Sequence, residues 1–127
     1  MIDFKGPHEK ALTKIENAIV KKILSNVPPP NAPSTIRQKG SSKTLVDTSE
    51  MVGHVTHRQT DKGGDIIGEV GIFDSKIAER ARYNEYGTRD IPARPFLRPA
   101  FDETAPKAAE DMANEIWDQI KKQMGRK

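Results

Sequence analysis

The apolar positions near the start of the chain fall on one helical stripe. Leu12, Ile15, Ile19 and Ile23 recur at spacings of three and four, with Ala11 and Ala18 beside them. Lys14, Glu16, Lys21 and Lys22 cover the other faces. This period predicts an amphipathic helix. Pro7 suits its start, where a missing N–H costs nothing, and Pro28, Pro29 and Pro30 end it. Near residue 55 the period changes to two. One strand is expected over residues 55–60 and a second over residues 66–73, with Ile66, Gly68, Val70 and Ile72 on one face. The run Asp61-Lys62-Gly63-Gly64-Asp65 between them is a hairpin turn signal.

The helical period then returns. Ile77, Ala78, Ala81 and Tyr86 mark the inner side of a helix that begins at Ser75 or Lys76 and ends at Tyr86. Asp74 or Ser75 can cap it, and Gly87 suits the position just past its end, where positive φ is cheap for glycine. Residues 91–101 contain Pro92, Pro95 and Pro99 and read as an extended, edge-like run, with Pro99 able to open the next helix. The simplest start for the regular part of that helix is Thr104 as N-cap with Pro106 in the first turn. Ala109, Met112, Ala113, Ile116, Trp117 and Ile120 form its expected buried stripe. Its acids (Glu110, Asp111, Glu115) come early and its lysines (Lys121, Lys122) late, which complements the helix dipole.

Two regions lack sustained periodicity or length. Residues 28–44 hold four prolines and a Gly-Ser-Ser run, and exceed the ~4–6 residues of an ordinary connection, so they read as a long loop or arm. A short helix through Met51 and Val52 follows, with Asp47, Thr48 and Ser49 as candidate caps. The expected fold is α+β: a small antiparallel sheet made by a β-hairpin, packed by N-terminal, central and C-terminal helices, as a single domain over residues 1–127.

Composition narrows the chemistry. The 127 residues suit one modest core, and 35% hydrophobic with 31% charged residues is within the range of a folded domain. The absence of cysteine excludes disulfides and thiolate-bound zinc and fits synthesis in a reducing cytoplasm. No apolar run approaches a membrane span, and the start lacks the apolar core of a secretory signal, so the chain is expected to keep its own N-terminus. A net charge of +3 permits contact with nucleic acid, but acids are interspersed nearly everywhere.

No catalytic constellation is apparent. His54 and His57, three apart at a strand start, point to opposite faces and share a metal only if the short helix continues through both. Glu85, beside aromatics at a helix end, is either a carboxyl with a raised pKa or a structural carboxylate bonding the following turn or an arginine. Asp47 and Glu50 can share a helix face, though capping explains Asp47 equally well. Gly63, Gly64, Gly68 and Gly71 lack the lysine-serine or lysine-threonine pair of a phosphate loop. Arg37, Lys39 and Lys43, with Ser41 and Ser42, form a basic loop suited either to phosphates or simply to water. Without interleaved aromatics it offers no platform for stacked bases.

Two segments carry a family resemblance. Lys39-Gly40-Ser41-Ser42-Lys43-Thr44-Leu45-Val46-Asp47-Thr48-Ser49-Glu50-Met51 resembles the "K-G-S-x-x-L-V-D-T-G-x-L" segment of small phage virion morphogenesis proteins. Tyr83-Asn84-Glu85-Tyr86-Gly87-Thr88, followed by Ile91-Pro92-Ala93-Arg94-Pro95-Phe96-Leu97-Arg98-Pro99-Ala100-Phe101, resembles their "H-N-E-F-G-T … I-P-A-R-P-F-L-R-P-A" signature. That group includes the neck and tail-completion (head-tail joining) family of tailed phages, of the minor tail-component type, which this chain resembles. The likeness covers roughly residues 34 to 103. Ser49 stands where glycine is common, Met51 where leucine is common, and Tyr83 where histidine is common. The loss of a histidine at 83 weighs against catalysis there.

The resemblance implies a virion structural protein of the connector region between head and tail. It would be built in the host bacterial cytoplasm and would act as a homo-oligomeric ring, six- or twelve-fold, with no enzymatic reaction and no cofactor. The implied partners are adjacent head-completion and tail proteins, with passing contact with genomic DNA in the channel and no membrane. Phe96, Leu97 and Phe101 on a proline-stiffened segment offer an apolar anchor set, or else form the core. Arg94 and Arg98 are suited to carboxylates across an interface. The 28–44 arm, with Arg37, Lys39 and Lys43, is the first candidate for an element reaching a neighbouring subunit, and the free edges of a small sheet are another. Three other readings remain open. One is a tail-terminator ring. Another is a small DNA-binding or packaging-associated protein, whose affinity would fall steeply with salt. The third is a hydrolase or nuclease, which would need a metal and an acidic cluster.

Overall fold

The computed structural model describes residues 1–25, 48–90 and 92–125, with side chains in the second segment from Met51 onward. The expected arm over 28–44, its basic residues Arg37, Lys39 and Lys43, and the cap at Asp47 lie outside the described residues.

Helix α1 spans Lys5–Leu24 and buries Ala11, Leu12, Ile15, Ile19 and Ile23, the stripe that its sequence period predicts. Pro7 lies in its first turn, where the backbone N–H groups have no partner within the helix. Asp3 Oδ1 accepts the Gly6 N–H at 3.1 Å. A short helix, α2 (Thr48–His54), buries Met51 completely.

Strands β1 (Val55–Lys62) and β2 (Asp65–Ile72) form a two-stranded antiparallel hairpin, paired from Val55↔Ile72 to Lys62↔Asp65. The loop is Gly63-Gly64 alone, with φ of +59° and +90°. Two successive positive φ values give the twist that a two-residue hairpin turn needs, and glycine supplies them at least cost. Both strands therefore run closer to the turn than the sequence pattern predicts. Val55, His57 and Gln59 of β1 alternate with Ile66, Gly68, Val70 and Ile72 of β2 on the more buried face. That face packs on α1. A Cβ at Gly68 would lie 2.6 Å from Leu12 Cδ2 and 2.7 Å from His8 Cε1, so the absence of a side chain sets how closely sheet and helix approach.

Helix α3 (Ser75–Tyr86) starts at Asp74, whose Oδ1 accepts the Ile77 N–H at 3.0 Å and the Lys76 N–H at 3.1 Å. The Ile77 bond is the main reason that the Asp74 carboxyl titrates below its usual range. Ile77, Ala81 and Asn84 face inward. Tyr86 does not, and is 74% exposed. It lies nine residues beyond Ile77, or about two and a half turns, and so on the opposite side of the helix. Gly87 follows with φ +77° and ψ 171° and closes the helix with its N–H on the Tyr83 carbonyl at 2.8 Å.

The last helix departs from expectation at its start. Helix α4 runs over Leu97–Met124, so among the described residues of the expected 91–101 run those at 92–96 are non-helical and the rest are helical, and Thr104 is not a cap. Pro99 occupies the third helical position, where it forfeits nothing. Pro106 lies inside the helix and gives up one backbone bond, but the helix continues on both sides of it. The buried stripe is also displaced. Ala100 and Ala108 are buried and Ala105, Met112, Ile116 and Ile120 half-buried, whereas Ala109, Ala113 and Trp117 are exposed. The arc read from the sequence is too wide. The half-buried places on its other side go to Asp111, Glu115 and Gln119, whose polar ends meet α1 and the segment before it.

Helices α1 and α4 pack antiparallel and form the body of the fold. Their seam carries the ion pairs Lys10–Glu115 at 3.3 Å, Lys14–Asp111 at 2.9 Å and Lys22–Glu103 at 3.5 Å. Asp3 and Gln119 exchange two hydrogen bonds of 2.7 Å and tie the N-terminus to the far part of α4. The core joins Ile15, Ile19 and Ile23 of α1 to Met51, Val55, Ile77, Ala81, Phe96, Ala100 and Ala108. No helix among the described residues is long and apolar enough to cross a membrane.

Candidate functional site

The two halves of the second motif meet in space. Glu85, in the last turn of α3, turns its carboxylate onto the first turn of α4. Oε1 accepts the N–H groups of Phe96 and Leu97, both at 2.9 Å, and Oε2 accepts that of Arg98 at 3.2 Å. A free helix N-terminus presents unpaired N–H groups and a partial positive charge, and a carboxylate answers both. The cap comes from eleven or more residues upstream, which explains why no local N-cap residue precedes Leu97. The reading of Glu85 as a structural carboxylate fits this geometry, with a helix start as its partner in place of a nearby turn.

Asn84 completes the junction. It is 2% exposed, its Nδ2 donates to the Arg80 carbonyl at 3.2 Å and to Met51 Sδ at 3.6 Å, and its main-chain carbonyl accepts the Arg94 N–H at 2.7 Å. The backbone running from Gly87 back toward α4 is thereby fixed at both ends. Gly87 lets it turn, Arg94 anchors it to Asn84, and Glu85 starts the next helix.

Above this junction lies an open groove of about 480 Å³. Ile72, Ala81, Phe96 and Leu97 give it an apolar floor, and the exposed rings of Tyr86 and Phe101 stand at its edges. Arg82, Arg98 and Asp102 supply charge at the lining. Arg98 pairs loosely with Asp102 at 3.8 Å, and Arg82 makes no ion pair among the described residues.

The structure thus brings together four of the sequence-derived interface candidates, namely Phe96, Leu97, Arg98 and Phe101. Their roles differ. Phe96 is wholly buried and belongs to the core, Leu97 is half-buried, and Phe101 is 44% exposed. Arg94, only 6% exposed, sits inside the fold, so its place is internal instead of on an outward face. Sequence reasoning passed over Asn84 and Arg82. The Asn-Glu pair within the motif was the available signal for the first, and nothing local distinguished the second from other helix-surface arginines.

A second polar cluster joins the hairpin to α1. The two ring nitrogens of His57 face two glutamates: Nδ1 meets Glu16 Oε1 at 3.0 Å, and Nε2 meets Glu9 Oε1. His54 ends α2 and is not part of it. Among the described residues no group of three or more histidines and carboxylates is arranged to hold a metal ion. Comparison of the chain with protein-family models, with curated proteins and with solved structures returned no match.

Proposed function

We propose that this chain is a structural subunit of the head-tail connector region of a tailed phage, assembling into a ring that completes the neck or tail and joins head to tail. The reading rests on the Tyr83–Thr88 and Ile91–Phe101 motif, together with the Lys39–Met51 segment that precedes it. One observation carries most weight. The motif's unusual residues form one physical unit, in which Asn84 and Glu85 hold the segment that starts α4 and leave Leu97, Arg98, Phe101 and Tyr86 lining an open apolar groove. A motif kept for an internal catalytic centre would aim its polar side chains at a cavity. Here the Glu85 carboxylate, although it borders the groove, is occupied by three backbone N–H groups, and the outward face combines apolar and aromatic side chains with the Arg98–Asp102 pair and Arg82, a mixture that suits docking.

The test is deletion of the gene from its phage or prophage, followed by electron microscopy of the lysate. Heads accumulating beside separate tails of normal length support the joining role. Overlong tails move the protein to the tail terminus. Normal infectious particles overturn the structural reading and return the DNA-binding and enzymatic readings to the front.

A further inference from the structure

The surface of α4 carries a second apolar feature, distant from the groove. Trp117 is 53% exposed and stands on a ridge whose preceding turns present Ala113 and Ala109, both exposed and too small to crowd a partner. Glu110 lies two turns before Trp117 on nearly the same side of the helix. It enters no ion pair among the described residues, since its neighbour Lys107 pairs with Asp111 at 3.1 Å.

Ridge and groove are complementary. The groove is apolar at its floor and aromatic at its edges, and of its charged lining Glu85 is taken up by backbone N–H groups and Arg98 pairs with Asp102, which leaves Arg82 as the cation with no ion pair among the described residues. The ridge is apolar and aromatic and carries Glu110, which makes no ion pair among the described residues and interacts with Lys107 only through space. Trp117 is sixteen residues beyond Phe101, about 24 Å along a rigid helix and turned toward another side, so no protomer fills its own groove. A patch that complements a different patch on an identical copy makes a heterologous contact, and such contacts propagate until a rotation closes them.

We propose that the groove between α3 and the start of α4 receives the Trp117 ridge of a second copy of this chain, with Arg82 meeting Glu110 across the contact. The proposal deepens the ring reading above and rests on it for closure into a ring. An indole in a desolvated apolar pocket, flanked by a charge pair, is the kind of anchor that dominates binding energy at interfaces.

The chain has no cysteine, which makes directed crosslinking clean. Tyr86→Cys places a thiol at the groove edge and Ala113→Cys places one on the ridge. Both positions are exposed, so the fold is kept, and circular dichroism of each variant checks this. Under mild oxidation the double variant should form a ladder of multimers. A mixture of the two single variants should give dimers only, and neither single variant should crosslink alone. Adding Trp117→Ala to the double variant should weaken the ladder about tenfold or more. Arg82→Glu should abolish it, and Arg82→Glu with Glu110→Arg should restore it. Crosslinking by either single variant alone, a ladder indifferent to Trp117→Ala, or no ladder in concentrated protein or in particles overturns the contact. The outcomes separate the two readings. Separate heads and tails after gene deletion, with no ladder, would leave the joining role standing and the contact wrong. A ladder, with normal particles after deletion, would do the reverse.

Discussion

Glu85 and Phe96 lie eleven residues apart, yet the carboxylate of one accepts the backbone N–H of the other at 2.9 Å, and the same oxygen takes the N–H of Leu97. The end of α3 thus supplies the cap for α4. Glu85→Ala should cost about 1–2 kcal/mol of stability, the usual range for a lost cap, with the charge-assisted bonds placing it toward the upper end. Glu85→Gln keeps an acceptor for two of the three donors and should cost less. Urea unfolding followed by circular dichroism measures both. Equal midpoints for wild type and Glu85→Ala would show that the cap does not hold the helix.

Gly87 combines φ +77° with ψ 171°, a backbone region that side chains other than hydrogen rarely enter. Gly87→Ala should therefore destabilise by about 1–3 kcal/mol, although it adds a single methyl group. The midpoint of thermal unfolding should fall by several degrees. An unchanged midpoint would mean that the turn leaves this conformation freely.

Gly68 bears on the docking of sheet and helix through space alone. The methyl of Gly68→Ala would press on Leu12 and His8, and Leu12 is already buried. Overpacking of this kind typically costs about 1–3 kcal/mol. Leu12→Ala in the same chain removes the Leu12 part of the clash and leaves that with His8, so the double variant should lose less than the two separate losses added together. Strict additivity in a double-mutant cycle would refute the contact.

His57 gives the hairpin a pH-dependent hold on α1. Its proton is stabilised chiefly by the hydrogen bond to Glu9, then by that to Glu16, against partial burial, and the pKa is raised above 6.5. A neutral imidazole has one N–H and can donate to only one of the two glutamates. A group whose folded pKa exceeds its unfolded value stabilises the fold fully below the unfolded value, and that contribution is lost as pH rises through the folded value. Stability should therefore decline as pH rises above about 6.5, the unfolded value, and through the raised folded value, and His57→Gln should flatten the decline. Unfolding midpoints at several pH values test this, and an unchanged slope in His57→Gln would assign the dependence elsewhere.

The elements legible in the sequence were those set by local pattern. The period of Leu12, Ile15, Ile19 and Ile23 specifies α1, the Asp74 cap and Gly87 bracket α3, and the Gly-Gly pair marks the hairpin. The start of α4 was not legible, because its cap is a tertiary contact. Three prolines in eleven residues look extended until Glu85 fixes the first turn, after which Pro99 is harmless. Alanines also blur a helical stripe, since Ala108 is buried and its neighbour Ala109 exposed with the same side chain. Of the candidate site, the segment around Phe96, Leu97, Arg98 and Phe101 was visible as a motif. The groove that it helps to form was not, since α3 and the end of β2 supply the rest.

The seam between α1 and α4 works as a key. Lysines at 10, 14 and 22 meet acids at 115, 111 and 103, so every step forward on one helix is matched by an equal step back on the other. Exposed pairs of this kind add little stability individually. They do discriminate between alignments. If α4 slides one turn one way, Lys14 comes to oppose Lys107, and one turn the other way brings Lys22 against the same residue. A single alignment satisfies the charges, so in a crowded solution of identical chains each α1 can tell a correctly seated α4 from one offset by a turn.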